Sequence, residues 1–261
     1  MNFMNVETIK LCGEDERASL TTFLPCTRKE KSDAILVIPG GGYTGVCADR
    51  EGENIAIAFN ALGYACFVLD YSVKPNAKFP RPLIEASLAM KHIKENAEKY
   101  KVDPERVFVL GFSAGGHLTA SLATMFDREI PKVDEIDEYS SRPDLAMLSY
   151  AVIDYVDHPH RSSARYMLGE NAPFEKRVEF SPNYNVKENT PPTFIWHTEE
   201  DSLVPLEHPL KMAEALINKK VPCELHIFPT GDHGLGTAVD DPYNARWLDF
   251  AEAFMQKYLN F

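Results

Sequence analysis

The sequence predicts an α/β fold: a doubly wound, mostly parallel sheet with helices on both faces and an antiparallel hairpin at its N-terminal edge. Three observations predict it. Short apolar runs alternate with helical patterns, several of those runs are apolar on both faces, and the first 25 residues read as a strand pair. The pair is VETIKL followed by SLTTFL. Strand-like runs then come at AILVIP (34–39), ACFVLDY (65–71), RVFVLGF (106–112), LAMLSYAV (145–152), TFIWHT (193–198) and CELHIF (223–228). Between them, Leu83, Ala86, Met90, Ile93, Ala97 and Tyr100 fall on one helical face, as do Trp247, Phe250, Ala251, Phe254 and Tyr258. Alternation of this kind implies right-handed crossovers between parallel strands.

At 261 residues the chain is most economically one domain, 1–261, with no repeat or Gly/Ser linker to divide it. One stretch breaks the rhythm. Residues 154–190 hold His158, His160, Pro159, Pro173 and Pro182 with weak periodicity, and read equally as a lid-like excursion or as a decorated helical crossover.

Charge and cysteines narrow the class. With 27 Lys+Arg against 39 Asp+Glu, the net charge is −12, which argues against a nucleic-acid backbone binder. Cys12, Cys26, Cys47, Cys66 and Cys223 are odd in number, scattered and free of any C-x-x-C pair, as expected of reduced thiols and not of a zinc cage. The N-terminus lacks an apolar stretch of signal-peptide length, and no run of 18 apolar residues occurs. A cytoplasmic location without membrane partners is the expectation.

The chemistry begins at Gly111-Phe112-Ser113-Ala114-Gly115. A G-x-S-x-G arises by chance in about one chain in ten of this size, so the pentapeptide alone says little. Its setting says more: a buried strand runs straight into it and a helical pattern leaves it, the strand–turn–helix of a nucleophile elbow. Such a turn strains the serine backbone, and glycines two residues to either side avoid side-chain clashes.

A serine nucleophile needs a base. Of eight histidines, His92 falls off its apolar helical face and reads as solvated, and His117 reads as packing beneath the elbow. His197 and His226 belong to strands, while His158, His160 and His208 lie in proline-flanked segments. His233 is the candidate, because Gly231-Asp232-His233-Gly234 is a flexible loop after the last strand. The acid that orients it should lie between serine and histidine in the chain. Asp201 is the choice, with Asp154 as rival; Asp232 is too close in sequence to fold back, and Glu199 and Glu200 read as a solvated loop. Pro39-Gly40-Gly41-Gly42-Tyr43 supplies backbone N–H groups free of side chains, so the oxyanion hole is assigned to Gly41, Gly42 and Ala114. A phosphate cradle is disfavoured, since no Walker lysine follows.

PGGGYTGV, GFSAGGHL, RPDLAMLSYAVID, PPTFIWHTEEDSLVP and GDHGLGTA, in that order, resemble the blocks of an α/β-hydrolase of the acetyl-esterase group. The closest likeness is to bacterial xylan acetyl and feruloyl esterases of the BD-FAE type, over about residues 34–240. The resemblance implies deacetylation of acetylated sugars such as xylo-oligosaccharides. Pro39 departs from the HGGG pattern of hormone-sensitive lipases, which argues against carrying over lipid substrates.

The expectation is therefore a serine esterase acting on a small-molecule ester through Ser113, His233 and Asp201, with no cofactor and no metal and with a homo-oligomer left open. Tyr43 and Tyr155 are expected to narrow the substrate pocket, with Phe174 and Tyr184 as further candidates. Arg161 and Arg165 either meet an acidic sugar or solvate a helix. An amidase, formamidase or peptidase would use the same groups, and a non-catalytic ligand-binding homologue would be expected to lack one of them.

Overall fold

Side chains on a strand point alternately to its two faces, so a run that is apolar at every position needs cover on both sides. The computed structural model describes residues 6–11, 17–26, 30–128, 140–158 and 161–259, and it supplies that cover. Cys12, Pro159 and His160 lie outside the described residues. Eight described strands form one sheet: β1 (Thr8–Lys10), β2 (Ser19–Phe23), β3 (Ser32–Ile38), β4 (Ala65–Asp70), β5 (Val102–Phe112), β6 (Ala146–Ser149), β7 (Thr193–Thr198) and β8 (Cys223–Phe228). Their order is β1-β2-β4-β3-β5-β6-β7-β8. β2 runs antiparallel to both β1 and β4, and the remaining pairs are parallel. The edge hairpin and the doubly wound sheet are as the sequence predicts.

Two apolar layers flank the sheet. Leu36, Phe67 and Val109 face one, which is closed by α2 (Arg81–Glu95), α3 (Ala97–Tyr100) and α4 (Ser113–Met125). Leu148 and Ile195 pack with Met212 and Leu216 of α7 (Glu207–Asn218). Val37, Cys66 and Leu110 face the other layer, against α1 (Asn54–Ala61) and α8 (Trp247–Leu259). There Trp247 stacks on Trp196 of β7, with ring centroids 5.0 Å apart, and donates its indole N–H to the Gly236 carbonyl.

Two local expectations change. The helical face from Leu83 to Tyr100 is broken at Asn96, whose backbone and side-chain N–H groups both bond the His92 carbonyl and end α2 there. Ala97 and Tyr100 still reach the same core from α3. His92 is half-buried and not solvated: its ring meets the Tyr100 hydroxyl at 3.0 Å, and burial lowers its pKa.

Residues 154–190 contain α5 (Arg161–Leu168), α6 (Phe174–Glu179) and a 3-10 turn at Pro182–Tyr184. Tyr155, Met167, Leu168 and Phe180 from this stretch are buried in the layer beneath α4. Among the described residues, no helix is long and apolar enough to cross a membrane.

Successive strands leave β3 in opposite directions, to β4 on one side and β5 on the other. The crevice at their carboxyl ends is a topological switch point, where open α/β sheets bind ligands. β3 and β5 pair in register up to Ile38 and Gly111, so the glycine loop and Ser113 emerge side by side.

Trp247 is fully buried and bridges α8, β7 and the loop at Gly236. Trp247→Ala should cost about 3–5 kcal/mol of stability. Urea unfolding followed by circular dichroism measures it, and a loss under about 1 kcal/mol would contradict this packing.

Candidate active site

Ser113 is the first residue of α4 and sits at φ 53°, in the left-handed region, directly after the extended Phe112. Backbone of this kind in a non-glycine residue costs about 1–3 kcal/mol and persists only where neighbours enforce it. Here they do. A Cβ on Gly111 would strike the Thr119 hydroxyl and the Gly115 carbonyl, and one on Gly115 would strike the carbonyls of Ile38 and Pro39. The two glycines let α4 lie against β3 and β5 while the serine side chain turns up to the rim, 9 % exposed.

Beside it, the chain leaves β3 through Pro39-Gly40-Gly41-Gly42. Gly41 (φ 130°) and Gly42 (φ 62°) take conformations that side chains disfavour, and the turn closes when Thr44 and Gly45 donate N–H groups to the Gly41 carbonyl. Among the described residues no acceptor takes the N–H of Gly41 or Gly42. Ala114 is the second residue of α4, where a helix offers its own N–H no carbonyl. The three assigned donors therefore have their N–H groups uncommitted.

β7 and β8 deliver the other two side chains from the same sheet edge. Ser113 Oγ donates to His233 Nε2 at 2.8 Å, and His233 Nδ1 donates to Asp201 Oδ2 at 2.7 Å. Asp201 Oδ1 accepts the N–H groups of Leu203 and Val204 at 2.9 and 2.8 Å, so the turn after the acid aims it. Burial raises the Asp201 pKa, but the neighbouring His197 and His233 rings and the Val204 N–H outweigh it and hold the carboxyl well below the usual range.

The loops that carry Asp201 and His233 also brace one another. Asp232 accepts from the Ser202 N–H and hydroxyl, and Glu200 accepts the Gly231 N–H at 3.1 Å. Asp232 thus faces the acid loop and not the His233 ring, and Glu200, though exposed, ties two loops together. Asp154, the rival acid, is buried and held by Lys211 and by the N–H groups of Val156 and Asp157.

Two pocket residues differ from expectation. Tyr43 and Tyr155 are fully enclosed, so neither lines an open pocket. The Tyr43 hydroxyl donates to His117 Nδ1 at 2.9 Å, and the Tyr155 hydroxyl donates to the Ser163 hydroxyl. Phe174 and Tyr184 are exposed. His117 does lie beneath the elbow. Its Nε2–H donates to the Phe180 carbonyl at 2.8 Å, and burial lowers its pKa to about 4, so the ring is neutral and joins the glycine loop, α4 and the 154–190 stretch.

Sequence alone does not single out three further residues at the site. His197, fully buried, donates from Nε2 to the Val204 carbonyl at 2.8 Å and lies 3.2 Å from Asp201 Oδ2. Its sequence signal was a histidine at the end of the strand feeding the acid loop. Tyr150 sets its ring edge-on to His233, with centroids 5.0 Å apart. Glu51 reaches the glycine loop from a short π-helical turn, Asp49–Glu53, and no sequence pattern marked it.

The BD-FAE family model matches residues 20–216 of this chain. Over 220 residues the chain is 43% identical to endo-1,4-beta-xylanase B of Butyrivibrio fibrisolvens, a match covering 83% of this chain and 34% of that protein. Over 229 residues it is 29% identical to an acetylxylan esterase of Xylanibacter ruminicola, covering 86% of this chain and 45% of that one. The chain thus spans about a third to a half of the length of these curated relatives. Among solved structures, an acetyl ester-xyloside bifunctional hydrolase from Caldicellulosiruptor lactoaceticus superposes with a TM-score of 0.90 at 37% identity, over 96% of both chains. With the strand order above, that likeness makes this the α/β-hydrolase fold.

A carboxyl held low by folding stabilises the protein fully above its unfolded pKa of about 4, and less as pH falls through the lower folded value. Asp201→Asn should accordingly be less stable than the parent at pH 7, with the gap narrowing at pH 3. Urea midpoints at both pH values measure this; a gap independent of pH would refute an ionised Asp201.

Proposed function

Because the chain belongs to the BD-FAE family, we propose that it hydrolyses carboxylic esters through a Ser113 acyl-enzyme, with short-chain acetyl esters of sugars, such as acetylated xylo-oligosaccharides, as substrates. One observation carries the mechanism: the unbroken hydrogen-bonded path from Ser113 Oγ through His233 to Asp201, at 2.8 and 2.7 Å. The names of an acetylxylan esterase and an acetyl ester-xyloside hydrolase among the similar proteins support the substrate class.

His233 Nε2 takes the Ser113 proton as the serine oxygen attacks the ester carbonyl. The N–H groups of Gly41, Gly42 and Ala114 stabilise the resulting oxyanion. Collapse of the tetrahedral intermediate breaks the bond to the alkoxy oxygen, and His233 returns its proton to the leaving alcohol. Water then attacks the acyl-enzyme with His233 again as base, releasing the carboxylic acid and free Ser113. Asp201 stays ionised throughout, fixing the tautomer of His233 and stabilising its charged form.

Ser113→Ala should abolish turnover of p-nitrophenyl acetate without shifting the melting temperature, and Asp201→Asn should lower kcat by about 10⁴-fold. Activity retained in Ser113→Ala would mean another nucleophile.

Rates over a C2 to C8 acyl series should be highest at C2, and acetate should be released from acetylated xylo-oligosaccharides. Acyl-anilides assayed in parallel decide against the amidase alternative if their kcat/KM falls far below that of the matched esters. The substrate assignment fails if C8 esters outrun C2.

A further inference from the structure

We propose that Glu51 is a positioning residue: its buried carboxylate clamps the glycine loop on one side and, through Tyr150, the His233 loop on the other. The inference rests on the acyl-transfer reading above and deepens it.

Glu51 is 1 % exposed, an unusual place for a carboxylate unless both oxygens are occupied. Both are. Oε2 accepts the Gly40 N–H at 2.8 Å, and Oε1 accepts the Tyr150 hydroxyl at 3.0 Å, with the Arg50 guanidinium 3.6 Å away. The same Tyr150 oxygen accepts the Gly236 N–H at 2.9 Å, three residues beyond His233. Burial and the adjacent carboxylate raise the Tyr150 pKa, so the phenol keeps the proton it donates to Glu51.

Each contact bears on a group assigned to the chemistry. Gly40 is wedged between Glu51 and the elbow. A Cβ there would come within 2.7 Å of Glu51 Oε2 and 2.9 Å of both the Phe112 carbonyl and Ser113 Cβ. Pulling on the Gly40 N–H therefore sets the spacing of the next two N–H groups, on Gly41 and Gly42, from Ser113. Tyr150 meanwhile both buttresses the His233 ring and anchors its loop at Gly236. The Glu51 carboxylate itself contacts Gly40, Tyr150 and Arg50 and not Ser113, His233 or Asp201, so Glu51 acts through the loops. Arg50 extends the support, since its side chain and backbone lie against Gly234 and Gly236.

Glu51→Gln keeps the shape but replaces one acceptor oxygen with an amide NH₂, which must face either the Gly40 N–H or the Tyr150 hydroxyl. With p-nitrophenyl acetate, kcat should fall tens of fold, toward the ~100-fold cost of misplacing groups by about 1 Å, while KM stays within about twofold. Fluorophosphonate labelling of Ser113 should slow by a similar factor. Tyr150→Phe should lose less, and the double variant should match Glu51→Gln alone instead of multiplying the two losses, because both act along one path. Hydrogen exchange of the intact variant should accelerate in residues 39–47 and 231–239 together, with the sheet core unchanged.

Unchanged exchange in either loop overturns the clamp, as does a kcat loss that only tracks a fallen folded fraction. If the wild type neither turns over ester nor takes the fluorophosphonate, the acyl-transfer reading falls, while the exchange comparison still decides whether Glu51 holds both loops.

Discussion

The structure depends on how closely two backbones approach at the carboxyl ends of β3 and β5. Gly115 presses on the carbonyls of Ile38 and Pro39, and Gly40 presses on the Phe112 carbonyl and Ser113 Cβ, at distances that leave no room for another carbon. Ser113 sits at that contact in its left-handed conformation, with the glycine loop beside it. A sheet with any longer residue at those positions would have to separate the two loops. The serine and the N–H groups assigned to the oxyanion would then move apart.

The rest of the rim is polar bracing for two loops that have no secondary structure of their own. Asp201 is fixed by its turn and by His197 from within β7. His233 is fixed by Asp201, by the Tyr150 ring and by the loop-to-loop bonds of Asp232 and Glu200. Loop backbones are ordinarily the mobile part of a fold. Here most of the bonds that hold them are charge-assisted or buried, the kinds that resist competition from water. The acidic side chains of this region accept from backbone N–H groups: Asp201 from Leu203 and Val204, Asp232 from Ser202 and His233, and Glu200 from Gly231.

Below the rim the logic is apolar. His117 shows where the two regimes meet: a histidine in the middle of a helix, neutral because it is buried, useful because its two nitrogens join the glycine loop to the Phe180 carbonyl. Tyr43 and Tyr155 belong to the same packed cluster. Aromatic rings near a functional loop look like pocket walls in a sequence, yet they bury more area by packing inward, and here they do so.

The sequence by itself determined the order of elements and the edge hairpin, because two-faced apolar runs and helical periodicity are local properties that survive any packing. It also marked Ser113, His233 and Asp201 for comparison, because an elbow needs glycines at fixed offsets and the chain order of acid and base follows from the order of strands. Only the tertiary structure decided that Asp154 belongs to Lys211, that Asp232 faces Ser202, and that Glu51, Tyr150 and His197 crowd the site. Those pairings join residues 30 to 99 positions apart, or depend on which way a single side chain turns. No periodicity encodes such choices; they are settled by which buried polar atoms find partners once the sheet has closed.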